Sequence, residues 1–285
     1  MKLALGTAQF GMSYGIKNMT GQVSQHAVQQ ILQFASSIGM HTIDTAMAYG
    51  TSEQRLGLAG VSTFNLITKL PSLPENCDNI DDWMFSEVRG SLTRLNVKCL
   101  HGLMLHRPDQ LYGRMGERIL ESLMSLKEAG LVKKVGVSVY DPGELDRLFS
   151  LADFGIVQCP LNLMDRRLVD SGWLQKLTLK SVEVHTRSSF LQGLLLMERG
   201  DIPKKFEIWK CYWDRWYEWV RDNNVTRLHG CLSYCLSHKD IDSVVVGVDK
   251  KSQLEEIVAA SNNKVLDSFP DLSCSDENLI NPAKW

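Results

Sequence analysis

Four polar side chains could together deliver a proton to a carbonyl oxygen, namely Asp44, Tyr49, Lys69 and His106. A phenol with a pKa of ~10 is a weak acid at neutral pH unless its anion is stabilised. A buried ammonium group beside the phenol would lower that pKa, and a carboxylate would keep the ammonium group charged. A neutral imidazole could orient the carbonyl through a hydrogen bond. The four residue types therefore predict Tyr49 as a general acid supported by the other three.

The elements that must position these residues are short apolar strands that alternate with amphipathic stretches, which is the pattern of βα units. The predicted strands are Leu3 to Thr7, His41 to Thr45, Asn65 to Lys69, Leu100 to His106, Lys133 to Val139, Gly155 to Cys159, Ser181 to Thr186 and Ser243 to Val248. Asp44, Lys69 and His106 stand at the carboxyl ends of the second, third and fourth strands. Since these ends form one rim in a closed parallel barrel, the residues would meet there. Each alone fits an ordinary capping or packing role, so their convergence is what favours catalysis.

The predicted fold is a (β/α)8 TIM barrel in a single domain of residues 1–285, with the barrel over about 3–260. Helices are predicted at Gln25 to Ile38, Glu53 to Ala59, Asp81 to Leu95, Gly116 to Ala129, Gly143 to Leu151, Asp165 to Leu177, Val225 to His238 and Ser252 to Ala260. An open doubly wound sheet would carry G-x-G-x-x-G after its first strand, whereas this chain has GTAQFGMSYG. Two segments exceed the barrel, an enlarged loop after strand seven at 191–224 and a C-terminal tail at 261–285.

The enlarged loop contains an aromatic run at residues 206–219, FEIWKCYWDRWYEW. Trp209, Trp213 and Trp216 fall at positions i, i+4 and i+7, which predicts an amphipathic helix. One interpretation is that this helix packs on the barrel. The other is that it forms a lid, because loops that follow barrel strands build the catalytic face and aromatic rings suit ring-bearing ligands. The sequence leaves both interpretations open.

The composition favours a small-molecule carbonyl partner over a nucleic acid or a membrane. A formal net charge of −2 and a pI near 6.4 give no sign of a concentrated basic face. The seven cysteines are scattered without a C-x-x-C pair, which predicts reduced thiols, a cytoplasmic location and no metal site. No stretch reaches the ~18 apolar residues of a membrane helix, and the N-terminal region lacks the apolar core of a secretion signal. We expect a monomer or a small homo-oligomer.

The segment IDTAMAYGTSEQRLG at residues 43–57 resembles the signature of the aldo/keto reductase family. ITKL around Lys69 and MLHRP around His106 are similar to the lysine and histidine motifs of that family. Further similarities lie in LGTAQFG, VGVSVY, VQCPLNLMD, SSFLQGLLL and VVVGVDKKSQLEE, so the resemblance covers residues 3–260. It implies a barrel reductase in which Asp44, Tyr49, Lys69 and His106 form the catalytic tetrad.

The resemblance also implies a nicotinamide cofactor, NADPH with NADH as the alternative, and no metal. Ser138 and Gln158 match the residues that hold the nicotinamide carboxamide. The segment 188–194 matches a loop that covers the pyrophosphate, and 247–256 matches the adenosine end. The residues expected to bind the cofactor are Gly6, Thr7, Ser138, Gln158, Arg187, Ser188, Leu191, Gly193, Gly247, Lys250, Gln253 and Glu256.

Two departures from the family pattern fall at the nicotinamide end. Val139 stands where the family usually has an asparagine, which removes one side-chain amide from the expected contacts. The aromatic residue that commonly stacks near strand seven is replaced by His185, Thr186 or Arg187, and the sequence does not decide among them.

The adenosine end departs as well. Gln253 stands where an arginine often binds the 2′-phosphate of NADPH, and Asp249 adds negative charge. Lys250, Lys251 or Arg187 could compensate. NADPH is therefore expected on the grounds of the resemblance alone.

These features together favour the reduction of an aldehyde, a ketone or a sugar, including a nucleotide-linked sugar. A second hypothesis is a cofactor-binding regulatory subunit of the same fold with little turnover. A third is sugar epimerisation or elimination through a transient ketone on the same scaffold. The complete tetrad favours the reductase over the regulatory subunit.

Overall fold

Eight parallel strands close into a barrel in the computed structural model of the chain, which describes residues 1–16 and 21–285. The strands are β1 (Leu3–Gly6), β2 (Thr42–Asp44), β3 (Asn65–Leu70), β4 (Leu100–Leu105), β5 (Val132–Ser138), β6 (Ile156–Pro160), β7 (Glu183–Arg187) and β8 (Ser243–Gly247). They lie in chain order, and Leu5 of β1 pairs with Ile43 on one side and with Val246 on the other. The predicted (β/α)8 barrel is confirmed, with each strand end within two residues of its predicted position.

The helices between the strands include short pieces that the sequence did not separate. The α-helices of the described residues are α1 (Ala8–Gly11), α2 (Gln25–Ser37), α3 (Ser52–Ala59), α4 (Ile80–Leu95), α5 (Gly116–Glu128), α6 (Glu144–Leu151), α7 (Arg167–Asp170), α8 (Trp173–Leu179), α9 (Lys210–Asp222), α10 (Arg227–Ser237), α11 (Lys251–Ser261) and α12 (Glu277–Ile280). The prediction of one helix over Asp165 to Leu177 is wrong. The chain breaks between α7 and α8 at Gly172, whose φ of +76° is a left-handed conformation that favours glycine.

Side chains fill the interior of the barrel. Ile67 on β3, Met104 on β4 and Ile156 on β6 are fully buried and form a cluster of their own. A β-carbon added at Gly102 would lie 3.3 Å from side-chain atoms of both Ile67 and Ile156. Because β3 and β6 are not neighbours in the sheet, this contact crosses the barrel. The barrel is therefore a packed core rather than a channel, and ligands reach only its rims.

A charged cluster lies at the amino end of the barrel, which is the end opposite the predicted site. Glu183, the first residue of β7, accepts hydrogen bonds from Lys134 Nζ at 2.7 Å, His101 Nε2 at 2.9 Å and His185 Nε2 at 2.7 Å. Burial opposes ionisation, but these donors hold the pKa of Glu183 well below its usual range. The amino end thus carries a tightly bound carboxylate with a stabilising role.

The aromatic run packs on the barrel. Trp213 and Trp216 of α9 are buried, and their indole N–H groups donate to the carbonyl oxygens of Phe206 at 2.9 Å and Leu195 at 3.0 Å. Trp216 also stacks on Trp219 with 5.7 Å between ring centroids. Of the two interpretations of this segment, the structure shows the packed helix, and it braces the loop that begins after β7.

The C-terminal tail crosses the loops at the carboxyl rim. Cys274 donates its backbone N–H to the carbonyl of Met164 at 2.9 Å, and Asp276 accepts from the indole of Trp209 at 3.0 Å. Leu279 and other apolar residues of the tail are buried. The tail is therefore part of the packed structure. None of the helices in the described ranges has the length and apolar character needed to cross a membrane.

Candidate active site

A buried ion pair lies at the carboxyl rim, where the sequence predicts it. Lys69 Nζ lies 2.6 Å and 2.7 Å from the two carboxylate oxygens of Asp44, and donates to the carbonyl of Thr45 at 3.0 Å. The residues are 1% and 4% exposed, so the charges compensate each other away from water. Burial lowers the pKa of the Lys69 ammonium group, and the carboxylate of Asp44 opposes that shift.

Tyr49 lies in the loop after β2, and two glycines set the position of that loop. A β-carbon at Gly11 would overlap the carbonyl oxygen of Tyr49, and one at Gly50 would overlap the carbonyl oxygen of Gly11. Gly50 also has a φ of +52°. The two backbone segments therefore approach closely only because both positions lack side chains. The motif GTAQFG thus supports the loop that carries the phenol.

A buried hydroxyl network fixes the same loop from below. Ser52 Oγ lies 3.0 Å from the carbonyl oxygen of Thr7 and 3.1 Å from Thr45 Oγ1. Thr7 Oγ1 donates to the carbonyl of Asp44 at 2.9 Å. The network connects the ends of β1, β2 and α3 through buried hydrogen bonds.

Glu53, the residue after Ser52, was not singled out from the sequence as a site residue. Its buried carboxylate accepts hydrogen bonds from Thr68 Oγ1 at 2.8 Å, Ser91 Oγ at 2.7 Å and Arg94 Nε at 2.8 Å. It therefore joins α3 to β3 and α4 and has a structural role, although it belongs to the signature that pointed to catalysis.

Burial sets the protonation of the two groups nearest the reacting position. Burial, followed by the charge of Asp44, raises the pKa of Tyr49 well above its usual range. Burial and the charge of Lys69 lower the pKa of His106 to about 4, so the imidazole is neutral at pH 7. The rings of Tyr49 and His106 meet edge to face, 5.9 Å apart, and Lys69 Nζ lies 5.3 Å from the centre of the phenol ring. The neutral histidine agrees with the sequence expectation, whereas the shift of the phenol runs opposite to it, because burial and the charge of Asp44 outweigh the opposing charge of Arg187.

Ser138 and Gln158 lie beneath the site. Gln158 Nε2 donates to Asp44 Oδ1 at 2.7 Å, and Ser138 Oγ donates to Gln158 Oε1 at 3.3 Å. Both residues are buried, and neither lines the cavity that opens beside Asp44 and Tyr49. Their contact with a nicotinamide stays a prediction, and what the structure shows is a chain that orients Asp44.

A cavity of about 390 Å³ opens beside these residues. Its lining includes many of the residues expected to bind a cofactor, namely Gly6, Thr7, Arg187, Ser188, Gly193, Gly247, Gln253 and Glu256, together with Asp44 and Tyr49. Gln253 and Glu256 belong to α11, outside the sheet, so the cavity runs from the rim to the outer helical layer. Leu191 is fully buried beneath the loop, and neither Lys250 nor His106 is part of the lining.

Two closely packed backbone segments bound the cavity. A β-carbon at Gly6, a buried residue of the lining, would lie 2.9 Å from Val245 Cγ1, so a side chain at this position would collide with β8. The opposite wall is the loop after β7, in which Ser188, Leu191 and Gln192 have φ values of 65°, 48° and 55°. Three non-glycine residues in the left-handed region mark a loop whose conformation the rest of the fold imposes.

Gln9 and Tyr14 of the lining were not singled out from the sequence, whereas Phe190 and Gln192 lie within the predicted segment 188–194. Gln192 Nε2 donates to the hydroxyl of Tyr14 at 2.5 Å, which joins the loop after β7 to the segment after β1 across the cavity. The motif FGMSYG contains Tyr14, but only the closed barrel brings it opposite residue 192.

Of the three candidate residues at the end of β7, one faces the cavity. His185 and Thr186 are 0% exposed, and His185 is bound to Glu183. Arg187 lines the cavity, with its guanidinium carbon 4.3 Å from the centre of the Tyr140 ring. A cation therefore occupies the rim position where the resemblance implies an aromatic ring.

The far end of the cavity is acidic. Asp249 and Glu256 both line it, while Gln253 Oε1 accepts the backbone N–H of Asp249 at 2.7 Å. Burial raises the pKa of Asp249, and its Oδ1 is a buried atom without a hydrogen-bond partner among the described residues. Lys250 is exposed on the rim of this region. Within the part of the chain that is described, no group of three or more histidine, cysteine, aspartate or glutamate residues could hold a metal ion.

Comparison with known proteins agrees with this geometry. The sequence matches the model of the aldo/keto reductase family over residues 2–269. It is 25% identical over 290 residues to the uncharacterised oxidoreductase YqkF of Bacillus subtilis, covering 93% of this chain and 92% of that protein. It is 26% identical over 292 residues to the L-galactose dehydrogenase of Arabidopsis thaliana, covering 90% and 85%. The holo form of an aldo-keto reductase from Bacillus halodurans has a similar fold, with a TM-score of 0.74 at 19% identity over 93% of this chain and 88% of that one.

Proposed function

Because the chain belongs to the aldo/keto reductase family of NAD(P)H-dependent oxidoreductases, we propose that it reduces a carbonyl compound with Tyr49 as the proton donor. The observation that carries the proposal is the position of Tyr49 in the lining of the long cavity, directly above the buried pair of Lys69 and Asp44. A phenol keeps its proton at neutral pH, and burial, which raises the pKa of Tyr49, makes release of that proton depend on stabilisation of the phenolate by a neighbouring cation.

The residues of the site act on the oxygen of the carbonyl. When bound, a nicotinamide dinucleotide supplies the hydride that reaches the carbon. Tyr49 donates its phenolic proton to the oxygen as negative charge develops there. The ammonium group of Lys69 then stabilises the phenolate, and Asp44 holds that ammonium group charged and in place. Neutral His106 orients the carbonyl through its N–H group.

The same cavity provides the groups that would hold the dinucleotide. Backbone groups of Gly6, Thr7 and Gly247 form one wall, and the loop around Ser188 and Gly193 forms the other. We place the nicotinamide next to Tyr49 and the adenosine at the acidic end on α11. NADPH is the cofactor that family membership favours, and the side chains at the adenosine end determine its affinity relative to NADH.

Polyhydroxy carbonyl compounds are the proposed substrates. The relative from Arabidopsis thaliana is named for a sugar, and the cavity offers polar donors and acceptors from Gln9, Tyr14, Ser188 and Gln192 that suit hydroxyl groups. Aldehydes, ketones and sugars, including nucleotide-linked sugars, are therefore the panel to test.

The test has two stages. Titration with NADPH and NADH, followed by nicotinamide fluorescence, should show saturable binding of at least one of them, and a panel of carbonyl compounds should then oxidise the bound cofactor. Tyr49→Phe should abolish turnover and leave the Kd of the cofactor within about threefold, because the phenol contacts the carbonyl rather than the adenosine. Binding without turnover on any carbonyl would point to a regulatory subunit instead. Redox-neutral isomerisation would point to an epimerase, and a fully active Tyr49→Phe variant would refute the role of the phenol.

A further inference from the structure

Arg187 lines the same cavity as Tyr49 and makes no ion pair with any residue that the structure describes. We infer that its guanidinium group binds a carboxylate or phosphate carried by the carbonyl substrate, so that the enzyme selects anionic aldehydes or ketones over neutral ones. The inference deepens the proposed function and rests on it. It starts from the position of Arg187 as the last residue of β7, on the same cavity wall as Ser188 and facing the space that Tyr49 also lines.

Neighbouring residues hold the guanidinium group in place but use only some of its N–H donors. It stacks on the ring of Tyr140 at 4.3 Å, donates from Nη2 to the carbonyl oxygen of Val139 at 3.2 Å, and reaches Ser188 Oγ from Nη1 at 3.5 Å. A guanidinium group has further N–H donors, and these have no hydrogen-bond partner among the residues that the structure describes. Such a group, already ordered by stacking, can accept a planar anion with two parallel hydrogen bonds.

Charge balance distinguishes Arg187 from the other cations of the site. Lys69 is neutralised by Asp44, and His106 is neutral at pH 7. Arg187 makes no ion pair with a carboxylate in the described ranges. The carboxylates of Asp141 and Asp165, which follow β5 and β6, are paired instead with Arg167.

The net charge left beside the reacting oxygen is therefore positive. A charge that is partly removed from water and lacks a partner costs free energy. An anion bound to Arg187 would reduce that cost. A neutral ligand would leave it in place. The site thus gains more from an anionic carbonyl compound than from a neutral one of the same shape.

The cofactor phosphates are the competing anion for this cation. Arg187 donates to the carbonyl oxygen of Val139, the residue after Ser138, and Ser138 is hydrogen-bonded through Gln158 to Asp44, so the guanidinium group lies at the reacting end of the cavity. The strained loop that follows Arg187 and the backbone at Gly6, where we propose that phosphates bind, are separate parts of the lining. Arg187 therefore faces the substrate.

Matched substrate pairs test the inference. D-glucuronate is compared with D-glucose, and glyceraldehyde 3-phosphate with glyceraldehyde, so that carboxylate and phosphate are examined separately. For at least one pair the wild-type enzyme should have the higher kcat/KM on the anion. Arg187→Gln should lower the ratio of kcat/KM on the anion to kcat/KM on its neutral partner about 10- to 100-fold. Arg187→Lys should give a ratio between those of the wild type and Arg187→Gln. A lysine ammonium group keeps the positive charge but lacks the planar pair of N–H donors of a guanidinium group. Arg118→Gln, at an exposed arginine of α5, is the matched control.

An equilibrium measurement keeps the test independent of turnover. L-gulonate and sorbitol are the alcohols that D-glucuronate and D-glucose would yield on reduction. L-gulonate should raise the melting temperature of the cofactor-loaded wild type but not that of Arg187→Gln, and sorbitol should raise neither. This result would stand even if no carbonyl were turned over, in which case the proposed function alone would fail. If Arg187→Gln weakens cofactor binding tenfold while the preference for anions is unchanged, the guanidinium serves the cofactor phosphates and the inference is overturned.

Discussion

Gln158 and Asp44 are 114 positions apart in the sequence, and their side chains meet at 2.7 Å beneath the active site. The amide of Gln158 donates to Oδ1 of Asp44, the oxygen that also accepts from Lys69 at 2.6 Å. Oδ1 of Asp44 thus accepts hydrogen bonds from both side chains. Because the amide of Gln158 orients this carboxylate, it also sets the position of the Lys69 ammonium group near the phenol. We therefore propose Gln158 as a positioning residue for Tyr49, the proposed proton donor.

Replacing Gln158 by leucine should lower kcat by about 10-fold, because Asp44 loses a donor and Lys69 loses its fixed position. The Kd of the cofactor, measured by fluorescence, should change less than threefold. Ser138→Ala is the matched control, since Ser138 lies at 3.3 Å and acts only through Gln158, and it should lower kcat by less than threefold. A large rise in the Kd with unchanged kcat would show that Gln158 holds the nicotinamide carboxamide instead.

The stability of the protein should fall with acidification because of His106. Its pKa is about 4 in the folded state, below the value of ~6.5 for an unfolded histidine, so the unfolded chain binds more protons between these values. The neutral imidazole contributes its full stability above pH ~6.5 and loses it as the pH falls toward 4, by up to about 3 kcal/mol. Urea unfolding of wild type and His106→Gln across pH 4–7 measures this. Equal slopes for the two proteins would contradict the expected burial of the neutral form.

Substituting Gly11 by alanine should disturb catalysis more than its size suggests. The added methyl group would overlap the carbonyl of Tyr49, so the loop with the phenol must move, and a shift of ~1 Å can cost about 100-fold in kcat. The melting temperature should fall as well. Gly200→Ala is the control, because Gly200 has no neighbouring atom within 4 Å of an added β-carbon and should change neither quantity. An active Gly11→Ala enzyme would show that the loop adapts.

The acidic end of the cavity should govern the choice between NADPH and NADH. Glu256→Gln removes a negative charge from the lining and should tighten NADPH relative to NADH by roughly fivefold, or about 1 kcal/mol, because the 2′-phosphate is repelled less. Glu255→Gln on the exposed face of α11, where Glu255 pairs with Lys251, should leave the ratio unchanged. Fluorescence titration with both cofactors gives the two Kd values. An unchanged ratio in Glu256→Gln would place the adenosine away from α11.

The sequence by itself determined the barrel and the four residues at its rim. Strand positions follow from local apolar runs, and Asp44, Lys69 and His106 follow directly because the carboxyl ends of parallel strands share one edge. The break at Gly172 was missed because an apolar helical pattern continues across it, although the dipeptide Ser171-Gly172 is itself a turn signal. The choice between a lid and a packed helix for α9 also needed the structure, since an amphipathic pattern does not say what its apolar face covers.

Only the tertiary structure decided the electrostatics. The direction of the pKa shift of Tyr49 depends on how far burial and the charge of Asp44 exceed the opposing charge of Arg187, and burial is a property of the folded chain. His185 and Arg187 both lie on β7 but at different positions along the strand. His185 is a buried partner of Glu183, whereas Arg187, at the carboxyl end, is a cation in the lining of the cavity. Residue types and spacing are sufficient to predict an acid at position 49. The position of the Arg187 charge beside that predicted acid, on which the proposed preference for anionic substrates rests, follows from distances that only the closed barrel sets.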